Sequence, residues 1–137
     1  MQDRPTVDEL LAAIEHFLDA EIVPNVPGSR GFHARVAANA IRIVRRELDL
    51  QEEHLRDEWQ RLDSILGSAE LPAERKTLLA ELRSRNEALC ALIRDGKDDD
   101  LALITEHVRE TVRDKLAVSD PDLLSRSAPL DRPPPVP

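Results

Sequence analysis

Between Ile22 and Arg46 the chain carries Arg30, His33, Arg35, Arg42, Arg45 and Arg46, and no Asp or Glu. Guanidinium groups stay charged at any ordinary pH and grip carboxylates or phosphates through paired N–H donors, so the chemistry on offer is anion recognition. The segment is a local excess of positive charge inside a chain of formal charge −8. On a helix turning about 100° per residue, Arg35, Asn39, Arg42 and Arg46 collect within about 60° of one another. Three readings of that stripe stand open. Its arginines pair internally with Asp8, Glu15 and Asp19, which share one face of the preceding helical segment. Alternatively they meet an acidic patch on a partner protein. In the third reading they join Arg30 and the loop amides of Gly28 to Gly31 to bind a small anion, such as phosphate or an acyl-CoA, at a helix N-terminus. His33 falls in the apolar arc of the same helix and reads as a packing residue.

Other chemistry finds little support. A carboxylate-bridged di-metal bundle needs Glu three residues before a helical His, and the residues at that offset from His16, His33, His54 and His107 are Ala13, Arg30, Gln51 and Ile104. Cys90 has no His three or four residues away and reads as a buried, inert thiol. No Gly-rich phosphate loop, nucleophile elbow or zinc-ligand spacing is present. The chain is expected to be non-catalytic, without metal or cofactor.

The elements that must position the arginines are helices. Thr6-Val-Asp-Glu9 has the form of a capping box, and Val7, Leu10, Leu11, Ile14, Phe17 and Leu18 follow at helical spacing as an inward stripe. PNVPGSRG then turns the chain. A second helix starting near Gly31 is apolar over roughly two thirds of its circumference, the pattern of a central helix contacted from several sides. Asp49-Leu-Gln-Glu52 resembles another cap, so the pattern allows either one long helix to Leu66 or, as the favoured reading, a break near Asp49; Leu55, Trp59, Leu62, Ile65 and Leu66 then continue to a stop at Gly67. Pro72 suits the first position of the next helix, whose stripe is Leu78, Leu79, Leu82, Leu89 and Ile93, with Asn86 and Cys90 inside it. Asn39 and Asn86 read as buried polar groups that set helix register. Gly96 ends that helix. Asp98 to Asp100 cap the last one, which turns Leu101, Ile104, Val108, Val112 and Leu116 inward.

These elements predict an all-α fold, a four- or five-helix bundle over residues 1–118, followed by an unstructured, proline-rich tail over 119–137. The scarcity of Val, Ile and Thr beside Leu, Ala, Glu and Arg agrees with helices. The acidic balance disfavours nucleic acid and anionic membranes as partners. One cysteine, no signal-peptide pattern at the N-terminus and no apolar run of about 20 residues point to a cytoplasmic protein. A homodimer is compatible with so many amphipathic helices.

The segments QDRPT-V-DELL, GFHARVAANAIRIVRREL and KLAVSDP together resemble a bacterial family of short helical proteins of unassigned function, over about residues 2–120. Members are typically encoded beside an aminoglycoside-phosphotransferase-like kinase and an acyl-CoA dehydrogenase. The resemblance implies an accessory role in acyl-CoA or hydroxy-acid catabolism and supplies no catalytic residue. Near the end of the last helix, Ser119-Asp120-Pro121 stands where the family tends to have Asn-Pro.

Overall fold

A computed structural model describes residues 3–96 and 100–126. It is all-α: α1 (Val7–Phe17), a π-helical turn (Leu18–Ile22), α2 (Ser29–Leu66), α3 (Arg75–Arg94), α4 (Leu101–Ser119) and the short α5 (Pro121–Arg126). No strand occurs among the described residues. The chain divides into two compact units at Leu50/Gln51, a boundary that falls within α2.

In the first unit, α1 opens on the expected capping box. The Glu9 amide donates to the Thr6 hydroxyl at 3.2 Å, and the Thr6 amide donates to the Glu9 carboxylate at 2.7 Å. After the π-helical turn, the loop around Pro24 reverses the chain and α2 returns antiparallel to α1. The reversal depends on Gly31, because a Cβ there would lie 2.0 Å from the Val26 carbonyl oxygen. Any side chain at that position forces the loop off the first turn of α2.

The expectation of a central α2, contacted from several sides, does not hold. Ala34 and Ala38 are its buried apolar residues in this unit, whereas Phe32, Val36, Val44 and Leu48 are exposed. On α1, Val7, Leu10, Ile14 and Phe17 are exposed too. The face that α1 turns to α2 holds Leu11, Ala12, Glu15, Leu18 and Asp19, all half-buried. Charge pairing across the helices selected that face, and the apolar stripe followed it outward.

The second unit has a conventional core. Trp59 and Leu62 of α2, Leu78, Leu82 and Leu89 of α3, and Ile104 of α4 form one buried cluster, edged by Leu55, Ile65, Leu66 and Leu92. Arg85 braces it from outside. Its guanidinium lies 4.5 Å from the centre of the Trp59 ring and donates to Asp63 at 2.6 Å and to the Gly67 carbonyl at 2.9 Å.

Several boundaries differ from expectation. α2 runs unbroken through Asp49, since Glu47 to His54 contains neither Gly nor Pro and nothing stops helix propagation. α3 begins at Arg75, not Pro72, with Glu74 as its extended N-cap. The preceding chain is held outside a helix by bonds from Trp59 Nε1 to the Ala69 carbonyl and from the Ala69 amide to Asp63. Residues 121–126, assigned to the tail, form α5, with the Leu123 amide donating to the Asp120 carboxylate at 3.2 Å. The remainder of the tail, 127–137, lies outside the described residues, as do Asp98 and Asp99. Asp100 caps α4 by accepting from the Leu103 amide.

Candidate functional site

The arginine segment resolves into two groups. Arg42 and Arg45 are half-buried against α1. Arg42 Nε donates to Glu15 at 2.8 Å, and its terminal nitrogen pairs with Asp19. Arg45 donates to Asp8 at 2.6 Å and to the other Glu15 oxygen at 2.7 Å. Glu15 therefore bridges two guanidinium groups, with Asp8 and Asp19 at either end of the ladder. These are the acids anticipated as internal partners. Of the stripe residues Arg42 reaches them, and Arg45, outside the stripe, joins it. Arg45 lies one helical turn from Ile41 and two from Ala38, on the α1-facing side, so an arrangement chosen by the strongest arginine clustering overlooked it.

Electrostatics follow the geometry. The Arg45 hydrogen bond holds the Asp8 carboxyl below its ordinary value. Burial pushes Glu15 upward, but the hydrogen bonds from Arg45 and Arg42 together outweigh it, and its carboxyl also lies below the ordinary value. Arg45 is raised by its bonds to Asp8 and then Glu15. Arg46, half-buried, shares a surface hollow of about 230 Å³ with Glu15, Arg42, Arg45 and Asp49.

Arg30, His33, Arg35 and Asn39 form the second group and are all exposed. His33 is not buried as expected; its ring meets Phe32 edge-on, with centroids 5.7 Å apart and planes at 66°. Asn39 is likewise not a buried register residue. With Phe32 and Val36, also exposed, His33, Arg35 and Asn39 make a mixed basic and apolar surface over the first turns of α2, and Arg30 projects from the other side of the helix.

A polar network in the second unit escaped the sequence reading. Asn86 does act as a bonded, half-buried polar group: its amide donates to Glu58 at 2.7 Å and to the Leu82 carbonyl at 2.9 Å, and its oxygen lies 3.4 Å from His107 Nε2. Arg61 donates to Asp114 at 2.7 Å, and His54 stands 3.9 Å from the same carboxylate. His107 is buried. Burial, then the Arg61 guanidinium, pushes its imidazole below the ordinary value, with Glu58 opposing. The inward face of α4 is thus Ile104, His107, Thr111, Asp114 and Val118, while Leu101, Val108 and Val112, expected inside, are exposed. The spacing 104, 107, 111, 114, 118 repeats by three and four residues. That signal was available, but the polar residues in it concealed an inward face.

Beside this network lies an open cleft of about 520 Å³ lined by Glu58, Arg83, Glu87, Cys90, Arg94 and Lys115 among others. Cys90 is exposed there, not buried, because it sits about 100° around α3 from buried Leu89. Among the described residues, no group of three or more His, Cys, Asp or Glu side chains is placed to hold a metal ion, and no helix is long and apolar enough to cross a membrane.

No curated protein and no solved structure matches the chain. The family match begins at Pro24, so the opening QDRPT and DELL and all of α1 fall outside it. Residues 24–123 match the family described as a domain of unknown function, DUF6285, and the chain belongs to that family.

Proposed function

We propose that this chain is a non-catalytic helical interaction protein that docks an acidic surface of a partner protein through Arg30, His33, Arg35 and Asn39. The observation that carries the reading is the division within the arginine segment. Arg42 and Arg45 are engaged by α1 carboxylates, whereas Arg30 and Arg35 are exposed, Arg35 on the same side of α2 as Phe32 and Val36. Arginine and aromatic side chains set together in solvent are the composition favoured at the centres of protein interfaces. The family resemblance supplies the partner to try: the phosphotransferase-like kinase, or the acyl-CoA dehydrogenase, encoded nearby in similar proteins.

The experiment is co-expression of the full chain with each neighbour, followed by size-exclusion chromatography. Co-migration is expected, with at least a tenfold weaker association for Arg35→Glu; losing one anchoring arginine typically costs about 1.4 kcal/mol or more. Separate migration with both neighbours, or binding indifferent to Arg35→Glu, would refute the reading. Binding of a small anion, phosphate or acyl-CoA, is the weaker alternative, because Glu15 and Asp49 line the hollow that Arg42, Arg45 and Arg46 share.

A further inference from the structure

The α1–α2 hairpin has two unlike edges. Taking Glu15, the middle of the half-buried face, as the centre of the α1 contact, Asp8 and Asp19 lie just to one side of it, and Val7, Leu10, Ile14 and Phe17 lie to the other, about 80–160° round the helix. On α2, Arg42 lies toward the acid side of Ala38, and Ala37, Ile41, Val44 and Leu48 lie toward the opposite side. Because the helices run antiparallel, both apolar rows emerge on the same face, opposite the ion pairs. Val7, Leu10, Ile14, Phe17, Val44 and Leu48 are each between 44% and 63% exposed.

Two features of this face specify what covers it. The first is spacing. Residues 7, 10, 14 and 17 advance by three, four and three, and residues 37, 41, 44 and 48 by four, three and four. This is the alternation by which helices interlock side chains in coiled coils and four-helix bundles. The second is area: scaled by exposure, these side chains leave roughly 550 Å² open, so two such faces would bury roughly 1,100 Å², just above the ~1,000 Å² expected of a genuine interface. Opposite charges stand beyond each row: Glu21, in the π-helical turn after α1, follows Ile14 by seven residues, and Arg30 precedes Ala37 by seven on α2, both exposed.

We propose that a second copy of this chain covers the face, making a four-helix arrangement from two hairpins. An uncharged face is complementary to itself across a two-fold axis. An axis parallel to the helices lays α1 of one copy over α2 of the other with the loops at the same end. Glu21 then meets the partner's Arg30. The face shares only Arg30 with the proposed docking surface and does not include Arg35, the residue that tests docking, so the two readings can fail independently.

Sedimentation of the full chain at about 1–100 µM, a range bracketing micromolar self-association, tests this. A dimer is expected, and Ile14→Glu should weaken it at least a hundredfold while the Trp59 unfolding transition stays in place. Should Ile14→Glu also loosen the hairpin, Glu21→Arg probes the same contact from an exposed position. It should weaken the dimer several-fold, and adding Arg30→Glu should restore it. A monomer throughout the range would overturn the proposal, as would a dimer insensitive to both Ile14→Glu and Glu21→Arg.

Discussion

One helix, α2, is held by opposite means along its length. Over residues 29–50 Phe32, Val36, Val44 and Leu48 are exposed, its buried apolar residues are Ala34 and Ala38, and Arg42 and Arg45 tie it to α1. Over residues 51–66 Trp59 and Leu62 are buried in a core of leucines and Ile104, and ion pairs sit around the edge. Helical periodicity alone therefore does not say which face turns in. Where a neighbouring helix offers a matching row of acids, charge takes the contact. Where it offers leucines, the apolar stripe takes it.

The contrast is broken most severely by Leu62→Ala, which removes a side chain with no exposed surface. The expected loss is about 2–5 kcal/mol, read from urea unfolding by the fluorescence of Trp59, the sole tryptophan. A loss below about 1 kcal/mol would mean that the second unit is not core-stabilised.

Glu15→Gln is a milder test of the first unit. It removes the carboxylate shared by Arg42 and Arg45 and should cost about 1 kcal/mol, because the pairs are partly solvated. Amide exchange should quicken in α1 and over residues 34–42, while the Trp59 transition is unmoved. Slower exchange there, or a shifted Trp59 transition, would erase the distinction between the units.

Acid should separate the units by the smallest effect. Folding lowers the His107 value from its ordinary 6.5, so the unfolded chain binds that proton more readily. The associated stability is complete above pH 6.5 and is lost as pH falls from there toward the depressed folded value. Asp8 and Glu15 are lowered from 3.8 and 4.5, so their contribution persists above those values and drains only below them. Urea midpoints at about pH 7.5 and 5.5 should differ for the Trp59 transition, less so in His107→Gln. Hairpin exchange, corrected for its intrinsic pH dependence, should change little over that interval. Equal pH sensitivity in His107→Gln would exclude the imidazole as the cause.

What could be read in the sequence was whatever is decided within a turn or two of chain. The Thr6/Glu9 cap, the stops at Gly67 and Gly96 and the helical class are of that kind. The acids awaiting Arg42 were legible as well, because Asp8, Glu15 and Asp19 share one face. The orientation of α1 and α4 was not, since each carries two rows with the same period. On α4 the choice depends on Asn86 and Arg61 of other helices, which complement His107 and Asp114. The apparent break at Asp49 failed for a related reason: a capping pattern makes a helix start available but does not compel one. Of the proposed docking residues, Arg30 and Arg35 stood out by type, yet their separation from Arg42 and Arg45 depends on where α1 lies.

Cys90 gives the protein a practical property. It is the sole cysteine and is exposed on α3, so maleimide or nitroxide reagents attach at one position without prior removal of other thiols. The hairpin, having no thiol, keeps its native chemistry under that labelling. A spin-labelled single chain would carry one electron spin and return no interspin distance. Two chains related by a two-fold axis would carry an equivalent pair, turning a question of assembly into a magnetic measurement on a chain with no substitution.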